Sequence, residues 1–268
     1  MTFNSSCSYA GVANMLEQYG VDATDRSIAM SMKLPYLFSC KDGVYMAGPM
    51  LQSAEWFNLF LHPIGFEMIE KEIPAAQVPE YLKRQRTAML GLQAGENGKH
   101  AVVYIGTQEG RLTFLNNKWE HDPAPAQITL TEAELLNRIG SSAMVATLIQ
   151  IDPKPGDLHR YMGESIPTVQ KNLAEIKDVC SVQKTVGELR SMLNTLFRPF
   201  LLDGITMLGF IGETELANKF SHIQQTFLNA LRQEPGTTVI LGRCLSLAAL
   251  ESAVDEYIAL IEKNNREQ

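Results

Sequence analysis

No stretch of these 268 residues approaches the roughly 18–20 apolar residues that a membrane span needs. A basic segment followed by an apolar one is missing from the N-terminus, so no secretory signal is expected. The four cysteines, Cys7, Cys40, Cys180 and Cys244, are scattered. None forms a CxxC pair, and no cysteine–histidine spacing suits zinc. Free thiols in a reducing cytoplasm are the simplest expectation, with no metal. Positive charge is in deficit: 23 Lys and Arg against 30 Asp and Glu give a formal net charge of −7. Phosphate backbones select basic surfaces, so nucleic acid is not an expected partner. Internal repeats and low-complexity tracts are absent too. What is present is ordinary globular composition, 45% hydrophobic and 20% charged, enough for a sizeable core.

The hydrophobic pattern divides the chain. Residues 7–20 carry Tyr9, Val12, Ala13, Leu16 and Tyr19 at helical spacing, with Ser5 or Ser6 as N-cap and Gly20 as stop. A second short helix follows over 24–33, capped by Thr24 or Asp25. Residues 33–49 mix turn signals with apolar side chains and predict an irregular, partly buried loop. A third helix is predicted to start after Pro49 and end at Pro63 and Gly65. Strands are then predicted over 66–73, 87–93, 100–106, 111–117 and 143–151, with short helices over 74–86 and 129–140. The segment 107–110 joins two of these strands as a tight hairpin. "DPKPGD" (152–157) reads as a linker. Beyond it, residues 166–263 predict four or five helices. The expected fold is α+β, with an N-terminal domain over 1–151 and an all-helical domain over 158–268.

Three features in the first half line up chemically. Cys7 stands before a helix, where the positive end of the helix dipole favours thiolate. His100 starts an apolar strand, and Asn116-Asn117 ends the strand paired with it. A turn at 107–110 brings residues near 100 and near 116–117 to the same end of the sheet. A carboxamide there can orient the imidazole while the other ring nitrogen faces the thiol. Ser5, Ser6, Ser8, Ala10 and Gly11 leave room for a substrate around the cysteine. The other histidines (His62, His121, His159, His222) lack such partners and read as surface or helix positions. Cys40, Cys180 and Cys244 read as core or half-buried residues.

The order Cys-helix, His on a strand and Asn on the next strand resembles the papain-like cysteine peptidase superfamily. "CSYAGVANMLEQYG", "HAVVYIG" and "LTFLNN" are similar to the bacteriocin-leader peptidases. "CSYAGVANMLEQYGVDATD" with "KDGVYMAGP" is similar to the N-terminal domain of butirosin-type aminoacyltransferases. The resemblance covers residues 1–151. It implies a Cys-bearing helix packed on an antiparallel sheet, with Cys7 as nucleophile, His100 as base and Asn116 as the orienting residue. Asn117 takes that place if the register slips by one.

One departure is chemical. The superfamily places an oxyanion-binding Gln six residues before the cysteine; here that position is Met1, and no Gln precedes Cys7. Asn4 is the nearest carboxamide. The expected function is therefore hydrolysis of a peptide or amide bond through a thiol. One alternative is acyl transfer from a thioester to an amine. Another is a catalytically silent binding or assembly protein that keeps the fold. Expected partners are a peptide or acyl-bearing small molecule and, for the transferase, a carrier protein. No metal or organic cofactor enters this chemistry. The helical domain is expected to shape the cleft, dock a partner or form a homodimer.

Overall fold

The computed structural model describes residues 1–3, 5–94 and 98–267. In chain order its elements open with helices α1 (Cys7–Glu17) and α2 (Asp25–Ser31) and strands β1 (Phe38–Lys41) and β2 (Val44–Ala47). Next come α3 (Ala54–Leu61), β3 (Phe66–Pro74), α4 (Val78–Lys83), β4 (Ala88–Ala94), β5 (Gly98–Gln108), β6 (Arg111–Asn116) and β7 (Gln127–Leu130). Helix α5 (Glu132–Ile139), strand β8 (Ser142–Gln150) and the long helix α6 (Leu158–Ser181) follow. Last are β9 (Gln183–Thr185), α7 (Val186–Met192), α8 (Ile205–Phe210), α9 (Thr214–Leu231), β10 (Thr238–Ile240) and α10 (Leu247–Arg266). The elements gather into two compact units, one of residues 1–32 and 52–156, the other of 33–51 and 157–268.

The first unit is α+β. Its six strands form one sheet in the order β3-β8-β4-β5-β6-β7, antiparallel throughout. Alternation along the strands divides the sheet's apolar residues between two faces. On one face Leu90, Leu92, Val102, Tyr104, Leu112, Phe114 and Val145 pack with Val78 and Leu82 of α4 and Leu135 and Ile139 of α5. The Cys-bearing helix α1 lies against β4 and β5. It comes so close that a Cβ on Gly11 would stand 2.4 Å from Met89 Sδ and 2.9 Å from Asn117 Nδ2. Only glycine permits that approach. Tyr9, fully buried, fixes the helix from its other side by an edge-on contact with Phe57 of α3, centroids 4.8 Å apart.

The second unit is predominantly helical. Helix α6 packs on α10, and α9 on α10, around Phe197, Phe200, Phe220, Phe227 and Tyr257. One small two-stranded sheet, β9-β10, interrupts the all-helical pattern expected over 158–268, and a second, β1-β2, belongs to the same unit. Among the described residues no helix is long and apolar enough to cross a membrane.

Several expectations are corrected. Residues 33–49 are no irregular loop. They contain the β1-β2 hairpin, turned by Asp42 and Gly43 at φ 52° and 76°. The segment also belongs to the helical unit rather than to the domain expected over 1–151. Contacts with α6 explain why: Ser165 Oγ accepts from the Phe38 N–H at 2.9 Å, and Tyr45 donates to Glu175 at 2.7 Å. The helix expected to start after Pro49 begins only at Ala54, which leaves Gln52 outside it. Strand β7 takes in residues 129 and 130, expected in the first turn of the helix over 129–140. Thr131 then caps α5 with Glu134 in a reciprocal box.

Candidate active site

Strand register decides which asparagine meets the histidine. Regular pairing runs back from the turn through Gln108 opposite Arg111, Thr107 opposite Leu112 and Gly106 opposite Thr113. A bulge then intervenes. Tyr104 opposes Phe114, Ile105 is left without a partner, and Val102 opposes Asn116. Continued without the extra residue, the ladder would set Asn117 opposite Val102. Alternate residues share a face, so the residue opposite Val102 is also the diagonal neighbour of His100. One inserted residue thus gives this place to Asn116.

The Asn116 amide is itself fixed. Its Nδ2 donates to the Pro125 carbonyl at 2.9 Å, which turns Oδ1 toward His100 Nε2, 2.8 Å away. An amide oxygen only accepts, so Nε2 carries the proton. Nδ1 is left without a proton in the neutral ring, and the imidazole and the Cys7 thiol each shift the other's pKa.

Cys7 is half-buried at the first position of α1. Burial is the largest single influence on its thiol and pushes the pKa up. The interactions with the His100 side chain, with the Ala101 backbone and with the charge of His100 act together in the other direction and win: the pKa lies below the ordinary thiol value. The His100 pKa is raised, first by its hydrogen bond with Cys7; burial opposes this, while the charge of Cys7, the Asn116 bond and the charge of Asp122 support it. Each shift stabilises the thiolate–imidazolium form.

The influence of the Ala101 N–H on the thiol has a topological reason. In an antiparallel strand the N–H and C=O of one residue point to the same neighbour. Strand β6 ends at Asn116, and its place beside Ala101 is vacant. Asn117 Nδ2 takes the Ala101 carbonyl at 2.9 Å, and the Ala101 N–H is left to act on the Cys7 thiol, whose pKa it helps lower. Asn117 is 2% exposed and also accepts from Asn14 Nδ2 of α1 at 2.6 Å. It ties helix to sheet, and its amide bonds go to Asn14 and Ala101 rather than to His100. The expected fallback role of Asn117 therefore has no geometric support.

The start of α1 is organised by Asp25. Its carboxylate accepts from the Thr2 N–H and hydroxyl and from Ser6 Oγ. The single Ser6 hydroxyl proton is shared between Asp25 and the Phe3 carbonyl. So Ser6 stands at the N-cap position but, contrary to expectation, makes no side-chain cap. The first turn of α1 itself carries no acidic residue; the negative charge beside the helix start is that of Asp25. Asn4 lies outside the described residues.

Two clefts adjoin the pair. One, of about 450 Å³, runs beside His100 and Asn116 over Leu92, Val102 and Ile128, with Trp119, Asp122 and Arg138 among its walls. The other, about 240 Å³, holds Cys7, Ser8, Gln52, Lys99 and Ala101. Gln52 was not singled out from the sequence. It lies far from Cys7 in the chain, in a stretch patterned like the start of a helix, and no motif marks it. Among the described residues no group of three or more His, Cys, Asp or Glu side chains is arranged to hold a metal ion.

No protein-family model matches the chain, and no curated protein matches it. Among solved structures it is similar to the peptidase domain of Streptococcus ComA, a bi-functional ABC transporter involved in a quorum-sensing pathway. The match covers 57% of this chain and 95% of that domain, at 15% identity and a TM-score of 0.37.

Proposed function

We propose that the chain performs cysteine-dependent acyl chemistry, hydrolysing a peptide or amide bond with Cys7, His100 and Asn116 in named roles. One observation carries the reading. His100 is held by Asn116 at 2.8 Å on Nε2, which leaves Nδ1 for proton transfer, and its side chain helps lower the pKa of the Cys7 thiol.

In the proposed reaction the Cys7 thiolate attacks the carbonyl carbon. The C–S bond forms as the carbonyl π pair moves to oxygen. Collapse breaks the C–N bond, and the imidazolium gives its Nδ1 proton to the leaving amine. Water then attacks the thioester and passes a proton to Nδ1. The C–S bond breaks, and the thiolate–imidazolium pair returns. Asn116 holds the Nε2 proton throughout, which fixes the tautomer and the ring plane. A peptide or acyl-bearing small molecule is the substrate class this chemistry accepts.

The test is alkylation by iodoacetamide near neutral pH, with the modified residue identified by peptide mapping. Cys7 should react faster than an ordinary free thiol, and His100→Ala should remove the advantage. Reaction of Cys7 at the free-thiol rate, with no change in His100→Ala, would overturn the proposal.

A further inference from the structure

The chemistry proposed above puts a negative charge on the substrate's carbonyl oxygen, and Met1 rather than a glutamine stands six residues before Cys7. The cleft beside the cysteine holds one that comes from a different place. Gln52 lies between β2 and α3 and lines the same cleft as Cys7 and Ser8. Ser8, directly after Cys7 on the first turn of α1, donates its hydroxyl to Gln52 Oε1 at 3.0 Å. That bond anchors the acceptor end of the amide one residue from the nucleophile. The donor end, Nε2, has no hydrogen-bond partner among the described residues. Other polar side chains of the cleft are differently placed. Glu70 accepts from the Ala54 N–H at 3.0 Å and, as a carboxylate, has no proton to offer an anion. Lys99 runs over Gly91, whose Cβ would meet the lysine stem at 3.3 Å.

We propose that Gln52 is a catalytic oxyanion donor: its Nε2–H, oriented by the Ser8–Gln52 bond, binds the carbonyl oxygen as it becomes negative during attack by Cys7. The inference rests on the thiol reading of the site and adds a residue to it. A donor held in advance contributes in the transition state without being reorganised there. The tether matters as much as the amide. A free glutamine side chain would lose rotamer freedom on engaging the oxyanion, whereas the Ser8 bond restricts that freedom beforehand.

Two reagents separate this role from the others. Acylation of Cys7 by p-nitrophenyl acetate passes through a tetrahedral oxyanion and expels p-nitrophenolate. Alkylation by iodoacetamide displaces iodide at a saturated carbon and forms no oxyanion. With the Cys7→Ala chain as the blank, Gln52→Ala should slow acylation about a hundred- to a thousandfold, the usual cost of one lost oxyanion donor. Its alkylation rate and its thermal midpoint should stay at the wild-type values. Gln52→Glu keeps an acceptor for Ser8 and removes the N–H, so it should lose as much as Gln52→Ala. Wild-type acylation rates in either variant would overturn the proposal. So would equal losses of acylation and alkylation, which would mean that Gln52 acts on the thiol or the fold. If the wild-type chain alkylates and acylates no faster than a free thiol, the thiol reading itself fails and this inference falls with it. If wild-type Cys7 shows enhanced reactivity while Gln52→Ala matches it in both assays, only the role of Gln52 fails.

Discussion

Asn116 and Asn117 are neighbours in sequence whose amides do separate work. Asn116 Oδ1 meets His100 Nε2 at 2.8 Å, while Asn117 Nδ2 closes the vacated ladder position at the Ala101 carbonyl, 2.9 Å away. The first contact orients a ring; the second joins α1 to the sheet through Asn14.

The two asparagines should therefore fail differently. In Asn116→Ala the imidazole loses its anchor on a partly exposed face. A misplaced catalytic group costs about a hundredfold, so the p-nitrophenyl acetate acylation rate should fall by about that factor with little change in thermal midpoint. In Asn117→Ala the buried Ala101 carbonyl loses its partner and the Asn14 amide loses its acceptor. Each unsatisfied buried group costs about 1–3 kcal/mol, so denaturant unfolding should show the larger loss here. An Asn116→Ala chain as destabilised as Asn117→Ala would contradict this division of labour.

That division was only half legible in the sequence. The hairpin at 107–110 and the strand periodicity placed an imidazole and a carboxamide at one end of the sheet. They did not choose between adjacent asparagines, because the choice turns on one bulged residue, Ile105. A one-residue shift exchanges the faces of a strand, and nothing in "VVYIGTQEG" announces it except Gly106, whose φ of 141° is a glycine conformation. The α+β organisation was legible because periods of two and of 3.6 persist through long elements. Short β7 and the β1-β2 hairpin were not, since four-residue strands give too little pattern to separate from loop. Gln52 was illegible for another reason: its place beside Cys7 is created by the return of the chain at α3.

Gly11 sets the distance between helix and sheet, and so the seat of Cys7. A methyl there would stand 2.4 Å from Met89 Sδ and 2.9 Å from Asn117 Nδ2. Met89 would have to move in a packed setting, and the Asn117 amide is held at both ends. Gly11→Ala should therefore destabilise by about 1–3 kcal/mol, the usual cost of overpacking, and should also slow acylation by shifting α1. Combining it with Met89→Ala should recover part of the stability, since contacting residues couple. An additive double mutant, measured by denaturant unfolding, would show that the clash with Met89 is not what costs the stability.

The cysteines should separate under alkylation. Cys180 is fully buried, and burial pushes its pKa up to about 12. It is protonated at neutral pH and inaccessible, and so inert on both counts. Peptide mapping after brief iodoacetamide treatment should find Cys7 modified and Cys180 unmodified until the chain is unfolded. Early labelling of Cys180 in native protein would contradict the packing of α6.

The pH dependence follows from the direction of both shifts. Thiolate forms as pH rises through the Cys7 pKa, which lies below the ordinary thiol value. The alkylation rate should therefore rise on a limb more acidic than that of a free cysteine. Expulsion of an amine needs a protonated imidazole, and the His100 pKa is raised. Amide hydrolysis should accordingly persist above the ordinary histidine range and decline only as His100 deprotonates, giving a bell whose limbs belong to the pair rather than to either residue. Asn116→Ala removes one of the contributions that raise the His100 pKa, so it should move the alkaline limb to lower pH. His100→Ala removes the hydrogen bond and charge that lower the Cys7 pKa and should move the alkylation limb to higher pH. An alkylation limb at the same pH in wild-type and His100→Ala chains would show that the imidazole does not activate the thiol.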